Sequence, residues 1–170
     1  MDVSEAIRTK RAIRQFQQTP LKNDDILVIL NAGRRAQSSK NSQPWQFIAI
    51  TDKPILLALS KCGQWANHLA GAALGVAIVT PNPTEKFQTM FDAGQAAAYM
   101  QLAAWELGIG SCPASIYEDE KARHILRFPE EWFLRIALSF GYPLNENELI
   151  SPPRKLGRKK IDEIVHWNSW

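Results

Sequence analysis

Cysteine is scarce: Cys62 and Cys112 are the only two in 170 residues, which excludes a disulfide scaffold and leads us to expect free thiols in a reducing compartment. Long apolar runs are missing as well. No stretch approaches the roughly 18 residues that a membrane-spanning helix needs, and the first residues lack the apolar core and cleavage site of a secretion signal. The expectation is cytoplasmic localisation without membrane association. Metal-ligand spacing is absent, because His68, His124 and His166 stand at no zinc-type interval from one another or from the cysteines. Phosphate fingerprints are absent too. There is no G-x-x-x-x-G-K-[ST] loop, and Gly108-Ile109-Gly110 follows a helical segment instead of joining a strand to a helix. No His or second Cys accompanies Cys112 at a meaningful spacing, so a small packed residue is expected there rather than a nucleophile.

What the chain does have is a globular balance of 45% hydrophobic and 22% charged residues, enough for one domain over 1–170 to bury a core unaided. The net charge of +3 is too small to imply nucleic acid, and neither an aromatic-rich strand motif nor a recognition helix is visible. The basic residues are unevenly placed. Lys10, Arg11 and Arg14 form one cluster, and Arg154, Lys155, Arg158, Lys159 and Lys160 form another. Each alone fits a solvated surface, but together they can face one small anion, because guanidinium forks match phosphate oxygens.

Periodicity sets out the elements. Asp2 and Glu5 read as a capping box for a helix ending near Lys10, and a second helix starts at Asn23 and stops before Gln37. A polar loop, 37–44, leads into a strand over 47–50, with Trp45 expected in the core. Pro54 opens a short helix, 63–71 is irregular, and 74–79 is a buried strand. The longest helix is predicted over about 84–107, with Phe87, Met90, Phe91, Gly94, Ala97, Ala98, Leu102 and Trp105 on its apolar stripe and Asp92 as a cap or interface partner. Gly108 stops it. A loop or strand over 109–115 precedes a helix at 119–126, on which His124 is expected to be solvated. The last strand sets Leu134, Ile136, Leu138 and Phe140 against a more polar face of Arg135, Ala137 and Ser139. The tail, 145–170, carries a helical patch at 161–165 and is too apolar to float free, so it is expected to dock on another subunit. Interspersed helices and strands argue for an α+β fold with a mixed sheet covered by helices.

Hydroxyls and carboxamides in Ser38, Ser39, Asn41 and Gln43 both donate and accept hydrogen bonds, which suits a heterocycle with alternating donors and acceptors, although the loop taken alone fits a polar surface turn better. Here a family resemblance enters. Lys10-Arg11-Ala12-Ile13-Arg14-Gln15-Phe16 is similar to the Arg-Arg-Ser-Ile-Arg-x-Phe opening of nitroreductase-like proteins, and Ser38-Ser39-Lys40-Asn41-Ser42-Gln43-Pro44-Trp45-Gln46-Phe47 resembles their Ser-Ser-x-Asn-x-Gln-Pro-Trp-x-Phe segment. The segment from Asp92-Ala93-Gly94 to Gly108-Ile109-Gly110-Ser111-Cys112, then Gly141-Tyr142-Pro143 and the terminal Arg158-Lys159-Lys160-Ile161-Asp162-Glu163, follow in the family's order.

The resemblance implies a three-layer sandwich with a mainly antiparallel sheet and a domain-swapped homodimer holding one FMN in each of two interface sites. Lys10, Arg11, Ala12 and Arg14 would meet its phosphate and ribityl side with Arg158, while Ser38, Ser39, Asn41 and Gln43 would arrive from the partner. The backbone of Cys112, Pro113 and Ala114 would approach flavin N5, and Gln64 or Asn67 would stand near N1 where some members place a lysine. NADH or NADPH would deliver hydride and leave, and a small electron acceptor such as a nitroaromatic or quinone would follow in a ping-pong cycle. No catalytic side chain is needed. Three departures stand out: Lys10 where Arg is usual, Ala12 where Ser is usual, and Gln37 where Pro often precedes the serine pair. The lost hydroxyl at Ala12 suggests weaker FMN binding, which leaves a non-catalytic FMN store or redox sensor as the alternative.

Overall fold

The computed structural model describes residues 1–151 and 157–170. The elements are α1 (Val3–Thr9), α2 (Asn23–Arg34), β1 (Gln46–Ile50), α3 (Lys53–Leu59), β2 (Leu74–Thr80), α4 (Gln88–Glu106), β3 (Gly110–Ser115), α5 (Asp119–Leu126), β4 (Phe133–Gly141) and α6 (Asn147–Ile150), with short 3₁₀ turns at Ser39–Asn41, Asn67–Gly71 and Ile161–Glu163. Local chemistry explains the starts. The Asp2 carboxylate accepts the Glu5 N–H at 2.8 Å to open α1, and the Asp52 carboxylate accepts the Ile55 N–H at 2.9 Å to open α3.

The sheet runs in the order β1-β2-β4-β3 with every neighbour antiparallel. The parallel component expected of a mixed sheet is reduced to a single bridge between Ala12 and Ser111. Helices α2 and α4 cover one face, meeting Leu74, Val76, Ile78, Leu138 and Phe140. The opposite face carries Ala77, Val79, Leu134 and Ala137 under Leu56, Leu59 and Leu69. Three layers result, and each fully buried Leu or Phe contributes about 1.5–3 kcal/mol. Helix α2 approaches α4 closely at Gly33, where a Cβ would lie 2.1 Å from Met100 Cε.

Three expectations need correction. The alternation in β4 is broken by a bulge, since Ile78 faces Ile136 whereas Val79 faces Leu134, so Leu134 turns to the opposite layer from Ile136. Its more polar face is covered as well, with Ser139 fully buried because a helical layer lies on each side of the sheet. Helix α4 begins at Gln88, later than expected, because Asn82 bonds Thr84 and Glu85 in a local turn that competes with helix. Its buried face is Asp92, Ala93, Ala96, Ala97, Met100, Gln101, Ala104 and Trp105, while Phe87 and Phe91 from the expected stripe remain 78% and 72% exposed. Among the described residues no helix is long and apolar enough to cross a membrane, and no cluster of His, Cys, Asp or Glu has the makings of a metal site.

Candidate functional site

After α1 the chain becomes a strap along the edge of β3. Ala12 bridges Ser111, the Ile13 N–H donates to the Ser111 carbonyl at 2.9 Å, and Phe16 bridges Pro143. Ile13 and Phe16 point inward and are buried; Ala12 and Arg14 stay exposed, and Lys10 and Arg11 are half-buried. The inward pair fits because Gly110 and Gly141 lack side chains: a Cβ on Gly110 would stand 2.7 Å from Ile13 Cβ, and one on Gly141 would stand 2.9 Å from the Phe16 ring. The glycine motifs seen in the sequence therefore seat the strap.

The strap assembles positive charge. Lys10 Nζ donates to Gln101 Oε1 on α4. Burial pushes the Lys10 ammonium below its ordinary range, the nearby Cys112 opposes that shift, and the charge of Arg158, arriving from the tail, adds to it. The Arg11 guanidinium donates to the Ser151 carbonyl and, at 3.4 Å, to the Thr9 carbonyl. Arg14 projects its charge onto Cys112 and His68. Among the described residues no carboxylate stands within ion-pairing distance of Lys10, Arg14 or Arg158. Arg154 and Lys155 of the second basic cluster lie outside the described residues.

On β3, the Cys112 side chain is buried and burial raises its thiol pKa, which keeps it protonated and argues against a nucleophile. Pro113 is exposed and Ala114 buried. Behind them the Ser139 hydroxyl donates to the Cys112 carbonyl at 3.2 Å and lies 2.7 Å from His68 Nδ1. His68 is the polar residue that the segment 63–71 turns inward, whereas Gln64 and Asn67 are exposed. Burial lowers its pKa, Arg14 lowers it further and the Pro113 carbonyl opposes, so the imidazole is neutral at pH 7. Its Nε2 has no hydrogen-bond partner among the described residues.

The serine-rich loop is built differently. Lys40, Asn41 and Gln43 have φ of 52°, 53° and 46°, the left-handed region that disfavours side chains with a Cβ. The Ser38 hydroxyl accepts the Gln43 N–H at 2.9 Å, and the Asp92 carboxylate accepts the Ser39 N–H at 3.0 Å. Ser39, Asn41 and Gln43 are exposed and Ser38 half-buried. Gln43 lines an open cleft of about 690 Å³ with Leu27, Leu30, Trp45 and Phe47, and no strap residue borders it. Trp45 is core, as expected, stacking on Phe47 at 6.2 Å. The loop grips α4 at Asp92 and the strap grips it at Gln101, points roughly 13 Å apart along the helix axis. Asp92, Gln101, His68 and Ser139 were missed as site residues. The available signal was a polar side chain inside an apolar helical or strand pattern.

The profile of the Nitroreductase family matches residues 7–142, which contain both the strap and the loop. The chain belongs to this family. A relative from Archaeoglobus fulgidus, "Putative NADH dehydrogenase/NAD(P)H nitroreductase", is 28% identical, the match covering 96% of each chain. An FMN-dependent nitroreductase from Clostridium difficile R20291 is 28% identical with a TM-score of 0.82, covering 97% of this chain and 98% of that one. The NfrA1 nitroreductase of Bacillus subtilis shares the fold at a TM-score of 0.86 and 21% identity, and this chain covers 74% of its length. Membership marks the chain as an oxidoreductase.

Proposed function

We propose that the whole chain is an FMN-binding unit that passes reducing equivalents from NADH or NADPH to a small acceptor such as a quinone or nitroaromatic. The observation that carries this reading is the gathering of Lys10, Arg14 and Arg158 with, among the described residues, no carboxylate in pairing distance and no partner for the nearby buried His68 nitrogen. A phosphate answers the first and a polar heterocycle the second. Lys10, Arg11, Arg14 and Arg158 bind the phosphate end, and the backbone from Cys112 to Ala114 lies along the ring. FMN, when bound, supplies the hydride chemistry. The residues of the chain hold it, exclude water from one side and balance charge, Gln64, Asn67 and His68 being the polar groups on the 63–71 side. The protonated Cys112 thiol takes no part.

The second half of each site comes from a twin. Ser38, Ser39, Asn41 and Gln43 stand apart from the strap of their own chain, which favours their serving the strap of a partner. Phe87 just before α4, Phe91 on it, and Trp167 and Trp170 at 84% and 100% exposure in the tail, are the apolar surface a homodimer would cover, with the tail 145–170 docked on the partner. The short segments 63–71 and 81–89 are the modest covers available to the site, which favours an open pocket that accepts several electron acceptors, and a cytoplasmic setting suits a supply of NADH or NADPH.

The test is to titrate purified protein with FMN, follow the flavin spectrum, and then measure NADH and NADPH oxidation with a quinone and a nitroaromatic. Bound flavin with turnover supports the enzyme. Failure to bind FMN would sink the reading, and tightly bound flavin that neither nucleotide reduces would favour the FMN store or redox sensor suggested by Ala12.

A further inference from the structure

On the buried face of α4, Gln101 shares its stretch of the helix with the apolar residues Ala97, Met100, Ala104 and Trp105. A buried carboxamide is costly unless its groups are bonded, so its partners indicate its role. The Gln101 Nε2 donates to the Ala97 carbonyl at 3.1 Å, which fixes the direction of the amide. Its Oε1 is thereby presented to the strap. There it accepts Lys10 Nζ, with the Ser111 hydroxyl at 3.5 Å, and Ser111 is the residue that Ala12 bridges. One amide thus joins α4, β3 and the strap at the point where the basic cluster begins.

The choice of a neutral acceptor matters. A carboxylate at this position would cancel the Lys10 charge, and an aliphatic side chain would leave a half-buried ammonium without that acceptor. An amide holds one N–H and leaves the full positive charge with two further donors. That charge lies close enough to Arg158 to feel its repulsion, an arrangement relieved by an anion between them. We propose that Gln101 is a positioning residue that holds Lys10 Nζ toward a phosphate monoester shared with Arg158, and so makes the site prefer FMN over riboflavin. The proposal rests on the FMN reading above and assigns to Gln101 the discrimination of the phosphate end.

The experiment compares dissociation constants for FMN and riboflavin, by flavin fluorescence, in the wild type, Gln101→Glu, Gln101→Met and each variant combined with Lys10→Met. Gln101→Glu is expected to weaken FMN about tenfold or more, the equivalent of losing one charge-assisted contact. Gln101→Met, which keeps the volume, should weaken it less. Riboflavin affinity should stay within about twofold in both, because riboflavin carries no phosphate to lose. In the Lys10→Met background Gln101→Glu should have no further effect. Equal weakening of both flavins, or an effect that survives Lys10→Met, would show a merely structural role and overturn the proposal. If the wild type binds neither flavin, the FMN reading fails by itself and titration with inorganic phosphate decides. Phosphate binding that Gln101→Glu abolishes keeps a phosphate site at Lys10, and no phosphate binding removes it.

Discussion

The strap and the serine-rich loop make opposite bargains with the rest of the chain. The strap pairs its backbone with β3, buries Ile13 and Phe16, and gathers Lys10, Arg11 and Arg14 beside them. The loop exposes most of its side chains, bends three residues into the left-handed region and is moored through Asp92. The position of the strap is set by its own chain. The loop holds a costly conformation with little local burial to offset it, which is the pattern of a segment shaped for something that lies against it.

Three substitutions test that contrast. The largest effect is expected from Gly110→Ala, which forces a Cβ against the β-branched Ile13 and should destabilise the protein by about 1–3 kcal/mol while lifting the strap from β3. Urea unfolding with a flavin count should show both losses together; full FMN content at wild-type stability would mean that the strap is not seated as described. Asp92→Ala should rank next, removing the acceptor of the Ser39 N–H at a cost of about 1–3 kcal/mol. Because the Lys10–Gln101 bond is untouched, phosphate-dependent discrimination between FMN and riboflavin should persist while affinity for both falls. Loss of the discrimination would show that strap and loop are not independent. Lys40→Gly should have the smallest effect, a gain of about 0.5 kcal/mol in thermal stability as left-handed strain is relieved against added chain entropy. A clear loss instead would mean that the Lys40 side chain, not backbone bending, keeps the loop in shape.

Much of the fold was legible in the sequence because local signals agreed with tertiary demand. Asp2 and Asp52 cap the helices they precede, and Gly108 ends α4 with a positive φ of 72°. The two glycine motifs were legible as motifs, but their purpose, room for Ile13 and Phe16, needed the third dimension. Gln101 was hidden, and Asp92 was legible only as a cap or interface partner, for a different reason. On a helix of mostly small apolar residues, periodicity identifies the covered side but not which polar group within it meets a distant segment. His68 was passed over because sequence spacing tests a histidine for metals, not for a hydroxyl 71 residues away. Periodicity also failed at Phe87 and Phe91, where an apolar side chain marks a surface that its own chain leaves open.

The bulge at Arg135 gives β4 two allegiances. With one extra residue, the strand sends Leu134 into one layer and Ile136, Leu138 and Phe140 into the other. Deleting Arg135 would therefore act less as a shortening than as a straightening of the strand. Leu134 would still lie opposite Val79 and Ile136 opposite Ile78, so the layer beneath α3 and α5 would keep its leucine while the strand lost only the residue that has no partner of its own.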